Sequence, residues 1–151
     1  MLTLKEQDFF KRKFWLVPHA IATYLDAIFF TVLFFCRNDD AGNWNAFKHT
    51  FWSAMNAMYM GAHNALELAT AHEEGSHPLS AEMDMFNNHK GINLYKTHSS
   101  MLDNWSSVGQ LYANIAFLAD KALELTSGGQ LKRFNSMGTG LINTNGGDRC
   151  L

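Results

Sequence analysis

The chain has 151 residues, 47% of them hydrophobic and 17% charged, with 12 Phe, 4 Trp and 4 Tyr. That apolar content excludes an intrinsically disordered chain, and the length argues against two domains that each build a core. A formal charge of −2 supplies no general attraction to polyanions, so no nucleic acid is expected as a partner.

The first predicted element is an apolar run. Residues 14–36 read FWLVPHAIATYLDAIFFTVLFFC, behind the basic cluster Lys11, Arg12 and Lys13. This is the outline of a signal peptide or a membrane span. No small-residue cleavage site follows, however, and Asp26 in mid-run would cost about 2.5–3.5 kcal/mol in a bilayer. Pro18 tends to begin or kink a helix. The run is therefore read as a helix over 18–35, apolar nearly all round and central to the core. A membrane-inserting segment and a cleaved signal are the alternatives. Cys36 and Cys150 have no CxxC partner, and two buried or incidental thiols are expected rather than a bridge.

A polar break follows at 37–43 (RNDDAGN), where Asn38, Asp39 or Asp40 suits a turn or an N-cap. Three further helices are expected over 44–72, 80–97 and 104–126, the third helix capped by Ser80 after Pro78. In the last one, Val108, Leu111, Ile115, Leu118, Ala122 and Leu125 form one stripe, ended by Gly128 and Gly129. Residues 136–151 are rich in Gly and Asn and are expected to be irregular. No segment alternates as a strand. The predicted fold is all-α: a compact single-domain bundle of four to five helices over 1–135 around a polar central cleft, with a tail over 136–151.

The residues that carry chemistry lie between 45 and 95. On the second helix, Phe47, Phe51, Ala54, Met58, Ala62 and Ala65 form an apolar face. His49, Ser53, Asn56, Met60, His63 and Glu67 form the opposite stripe, which suits a cleft better than open solvent because Trp52 lies beside it. His72 and Glu73 close that helix. On the third helix Asp84, Asn87, Asn88, Gly91 and Tyr95 share a face. Gly91 in mid-helix costs about 1 kcal/mol relative to Ala, so a neighbouring helix or a ligand approaches closely there. His49, His72, Glu73 and Asp84 would suit Zn²⁺ if imidazoles dominate, or Mg²⁺, Mn²⁺ or Ca²⁺ if oxygens do. A satisfied polar network between helices is the competing reading.

Three blocks, NAFKHTFWSA at 45–54, AHE at 71–73 and MDMFNNHKG at 83–91, resemble an uncharacterised bacterial domain family with motifs near DAFRHAYWSA, AHE and MDLxNNxxGR. The resemblance covers about residues 15–135. Members often occur in secreted proteins and at the toxic tips of large bacterial toxins. It implies that His49, His72, Glu73, Asp84, Asn87 and Asn88 belong to one site. The chain departs from the motifs at Asn45 (usually Asp), Lys48 (usually Arg) and Ile92 (usually Arg); Lys48 keeps a charge without a bidentate fork.

These readings lead to an expected function as a secreted antibacterial effector, a metal-dependent hydrolase of a lipid or phosphoester of the cell envelope. His49, His72, Glu73 and Asp84 would be catalytic residues and metal ligands, with Lys48, Asn87 and Asn88 binding substrate. A membrane-inserting toxin without catalysis is the alternative. The expected partners are a cognate immunity protein, a lipid or envelope-precursor substrate and a membrane. With no signal peptide read, the resemblance implies a protein made in the bacterial cytoplasm and exported or injected, as by a type VI apparatus.

Overall fold

A computed structural model describes residues 2–37 and 42–150, so Asn38, Asp39 and Asp40 lie outside the described residues. Six α-helices are found among them: α1 (Leu4–Arg12), α2 (Val17–Phe35), α3 (Gly42–Met60), α4 (Ala62–His72), α5 (Pro78–Leu102) and α6 (Val108–Ser127). A short antiparallel hairpin follows, β1 (Lys132–Phe134) paired with β2 (Leu141–Asn143), with Arg133 opposite Ile142. The mostly helical architecture agrees with the sequence reading; the hairpin corrects the expectation of a strandless, irregular tail. Its strands are three residues each, too short to show an alternating pattern.

The local causes are legible. Thr3 caps α1 with a reciprocal box, its hydroxyl taking the Glu6 N–H while the Glu6 carboxylate takes the Thr3 N–H. Pro18 sits in the first turn of α2. Gly61, at φ +82°, splits the helix expected over 44–72 into α3 and α4. Pro78 opens α5 behind an N-cap at His77 rather than Ser80. Ser107 caps α6, and Gly129 at φ +72° follows its end.

The centre of the molecule is α3. Every residue from Gly42 to Met60 is buried except Lys48 and Tyr59, and the helix packs against α2, α4, α5 and α6. Phe47 and Phe51 stack at 5.6 Å, with Phe30 and Phe34 edge-on to them. Each such buried ring contributes about 1.5–3 kcal/mol.

Two expectations change here. The helix read as central, α2, lies at the periphery. It buries Ala20, Thr23, Ala27, Thr31 and Phe35 and turns Ile21, Leu25 and Phe29 outward. Small residues at three- and four-residue spacing let its backbone approach α3, and Thr23 donates a buried hydrogen bond to Asn56 (2.7 Å). The cysteines are not free thiols: Cys36 and Cys150 are joined in a disulfide. The tail that carries Cys150 returns to α3, where Asn43 holds Asn145 and Gly147.

Candidate metal and catalytic centre

Four helices converge on one polar pocket. Along α3, Asn45, Lys48, His49 and Trp52 fall at i, i+3, i+4 and i+7, on one side of the helix. The end of α4 adds His72 and Glu73, α5 adds Asp84 and Asn88, and α2 adds Tyr24 and Ala27. The cavity, about 110 Å³, is lined by Tyr24, Ala27, Lys48, His49, Trp52 and His72.

α3 and α5 can present these groups because their backbones touch. A Cβ on Gly91 would lie 2.0 Å from the Thr50 carbonyl oxygen, so only glycine fits. The close neighbour anticipated at that position is α3 itself. Ser53 and Thr50 then donate across the gap to the Asn88 and Asn87 carbonyls, at 3.0 and 3.2 Å.

Around His49, which lines this cavity, His49, Glu73 and Asp84 each place one ligand atom within 4.8 Å of the others. The His49 Nε2 lies 3.4 Å from Asp84 Oδ1, and Asn45 Nδ2 donates to that same oxygen at 2.9 Å. Burial holds the His49 pKa down to about 3, with Lys48 and His72 as smaller causes in the same direction, so the ring is neutral near pH 7. Asn88 lies alongside the imidazole and favours its charged form, yet neither of its amide atoms closes a hydrogen bond of good geometry. Burial raises the Glu73 pKa; His72 and a hydrogen bond with Ser76 oppose the rise, and Glu6 adds to it.

Among the described residues, eight buried side-chain nitrogen and oxygen atoms have no hydrogen-bond partner. Six of them belong to Asn45, His49, Trp52, Glu73 and Asn88. Leaving one such atom unmet costs about 1–3 kcal/mol, so the polar groups around His49 are those least satisfied by the chain's own partners. One imidazole and two carboxylates fit a divalent cation.

The other residues singled out from sequence fall around this group. His72 lies beside it, its ring 6.2 Å from that of His49 and 5.2 Å from that of Trp52. Its Nδ1 pairs with the buried Glu6 carboxylate at 2.8 Å. Lys48 lines the cavity. Asn87 faces elsewhere: its carboxamide donates to and accepts from the Lys132 backbone, both at 2.9 Å, and so anchors the hairpin. His63 and Glu67 leave the His49 stripe because Gly61 redirects the chain; Glu67 pairs instead with Arg12 (2.7 Å) and Lys13. Sequence reasoning did not assign Asn45, Trp52 or Glu6 to the site. The spacing of 45, 48, 49 and 52 was a usable signal for the first two, whereas nothing local links Glu6 to His72.

The fold and site together define a helical protein with a buried imidazole–carboxylate centre. Residues 8–116 match the model of a family described as a domain of unknown function (DUF6973), and the chain belongs to that family. The matched stretch contains all three motif blocks and every residue of the centre except Glu6. No curated protein and no solved structure matches the chain.

Proposed function

We propose that this protein is a hydrolase of an ester or phosphoester, using a divalent cation held by His49, Glu73 and Asp84. The observation that carries the reading is the cluster of six unmet polar atoms around those ligands. Noncatalytic membrane insertion gives that cluster no role. The cation, when bound, supplies Lewis-acid polarisation and lowers the pKa of water.

The chain's own residues supply the rest. The Glu6 carboxylate holds a proton on Nδ1 of His72, which leaves Nε2 to accept one from the attacking water. The resulting hydroxide bonds to the carbonyl carbon or phosphorus, and the bond to the departing alkoxide breaks. That alkoxide takes the proton back from His72. Lys48, on the cavity wall, faces the oxyanion that develops. Asn45 is a positioning residue that aims Asp84 through its 2.9 Å hydrogen bond.

The biological setting is proposed on the same basis: an exported antibacterial effector acting on a lipid or lipid-linked precursor of the envelope, restrained in the producer by an immunity protein that covers the pocket. The Cys36–Cys150 disulfide supports destination in an oxidising compartment. The test is metal content of the purified protein, measured beside His49→Ala and Asp84→Ala. Both variants are expected to lose the cation and toxicity toward a target strain while keeping a helical circular-dichroism spectrum. Undiminished toxicity in both would overturn the hydrolase reading.

A further inference from the structure

α2 is packed inside out. It buries small side chains, Ala20, Thr23, Ala27 and Thr31, beside Phe35, and exposes several large ones. Ile21, Leu25, Phe29, Val32 and Leu33 are 41–61% exposed and fall at spacings of three and four, so they form one stripe about 18 Å long. Phe14 and Trp15 extend it at 72% and 59% exposure, directly after the exposed Lys11 and Arg12. The single charge on the helix, Asp26, is half-buried on the flank near Tyr59. Aromatic residues beside cations at one end of an apolar helix face are the pattern of a helix lying in a membrane interface.

The stripe also leads to the site. Ile21, Tyr24 and Leu25 form one wall of an apolar groove of about 580 Å³, whose other walls include Leu2, Phe10, Val17 and Leu68. At its inner end the groove shares Tyr24, Trp52 and His72 with the His49 pocket. An apolar surface, an apolar groove and a polar pocket thus lie side by side, with shared side chains at each boundary.

We infer that the outer face of α2 docks in the plane of a lipid bilayer, and that the groove takes one acyl chain of a bilayer lipid, placing its polar linkage in the His49 pocket. α2 lies on the membrane rather than crossing it. Its inner face is held on α3, and its C-terminal end is tied to the tail by the disulfide and by the Cys150 N–H on the Phe34 carbonyl (3.0 Å). The inference rests on the hydrolase reading for the purpose of the groove but not for docking.

Flotation of the full chain with vesicles of phosphatidylethanolamine and phosphatidylglycerol tests the docking. Wild type and His49→Ala are expected to float equally, with or without a chelator. Phe29→Glu/Val32→Glu, two exposed positions outside the groove, is expected to reduce the bound fraction at least tenfold. Met137→Glu, a still more exposed apolar position between the two hairpin strands, is expected to change nothing. A fluorescent long-chain fatty acid reports on the groove, and Val17→Trp, which narrows it, is expected to weaken its binding at least tenfold while leaving flotation intact. Failure of wild type to float, equal flotation of the double variant, or a dimer that the double variant dissolves would overturn the inference. Hydrolysis of a short water-soluble ester, unchanged in the double variant, reports on the catalytic reading separately.

Discussion

Acid should unfold this protein through His49. The unfolded imidazole titrates near 6.5, whereas in the fold burial, Lys48 and His72 hold it at about 3. Between those values the unfolded state binds one proton more than the folded state, so stability falls as pH falls, by about 1.4 kcal/mol per pH unit. Integrated from pH 6 to pH 4, the loss is about 2.5 kcal/mol, a large share of a typical domain's 5–15 kcal/mol. Glu73 acts in the opposite sense: its raised pKa makes the folded state hold its proton longer, so it lowers stability as pH rises above 4.5. That contribution is common to wild type and a His49 variant and cancels in their difference. The assay is urea unfolding of chelator-treated wild type and His49→Gln at pH 4, 5 and 6. The variant should gain about 2.5 kcal/mol on wild type across that range. Parallel stability curves, or a His49 imidazole resonance that titrates near 6.5, would refute the reasoning.

Three further outcomes are expected. Gly91→Ala forces a Cβ to within 2.0 Å of the Thr50 carbonyl and should cost about 3 kcal/mol or more in thermal unfolding; a loss under 1 kcal/mol would show that α3 and α5 are not in backbone contact. Asn45→Asp replaces a donor 2.9 Å from Asp84 with a second carboxylate, so the metal-free variant should melt lower at pH 7 than at pH 5, and added Mn²⁺ or Zn²⁺ should restore it more than it raises wild type. Serine at both Cys36 and Cys150 opens a link across 114 residues and should cost about 4–5 kcal/mol; an unchanged melting point in non-reducing buffer would argue that the bridge does not form.

Much of the local structure was legible because its causes are local. Gly128 and Gly129 end α6 as expected, and three- and four-residue spacing placed Asp84 and Asn88 on one face of α5. The break at Gly61 was missed, since one glycine is tolerated inside a helix and only its φ of +82° reveals a turn. The strand pairing was missed for a similar reason: a three-residue strand carries almost no pattern of its own, and this hairpin is held by Asn87, more than forty positions away.

The sequence by itself determined the helical class, the position of most helices and the residue types available for chemistry, because caps, breakers and periodicity act over a few residues. Tertiary structure decided what those residues do. It sorted two adjacent asparagines into a partner of His49 and an anchor for the hairpin, because residues one apart on a helix point about 100° from each other. It chose α3 over α2 as the centre, since an apolar helix reads the same whether it meets a core or leaves a face outward, and only packing reveals which side chains are covered. It also closed the cysteine pair and brought Glu6 to His72, contacts across 114 and 66 positions that no local rule anticipates.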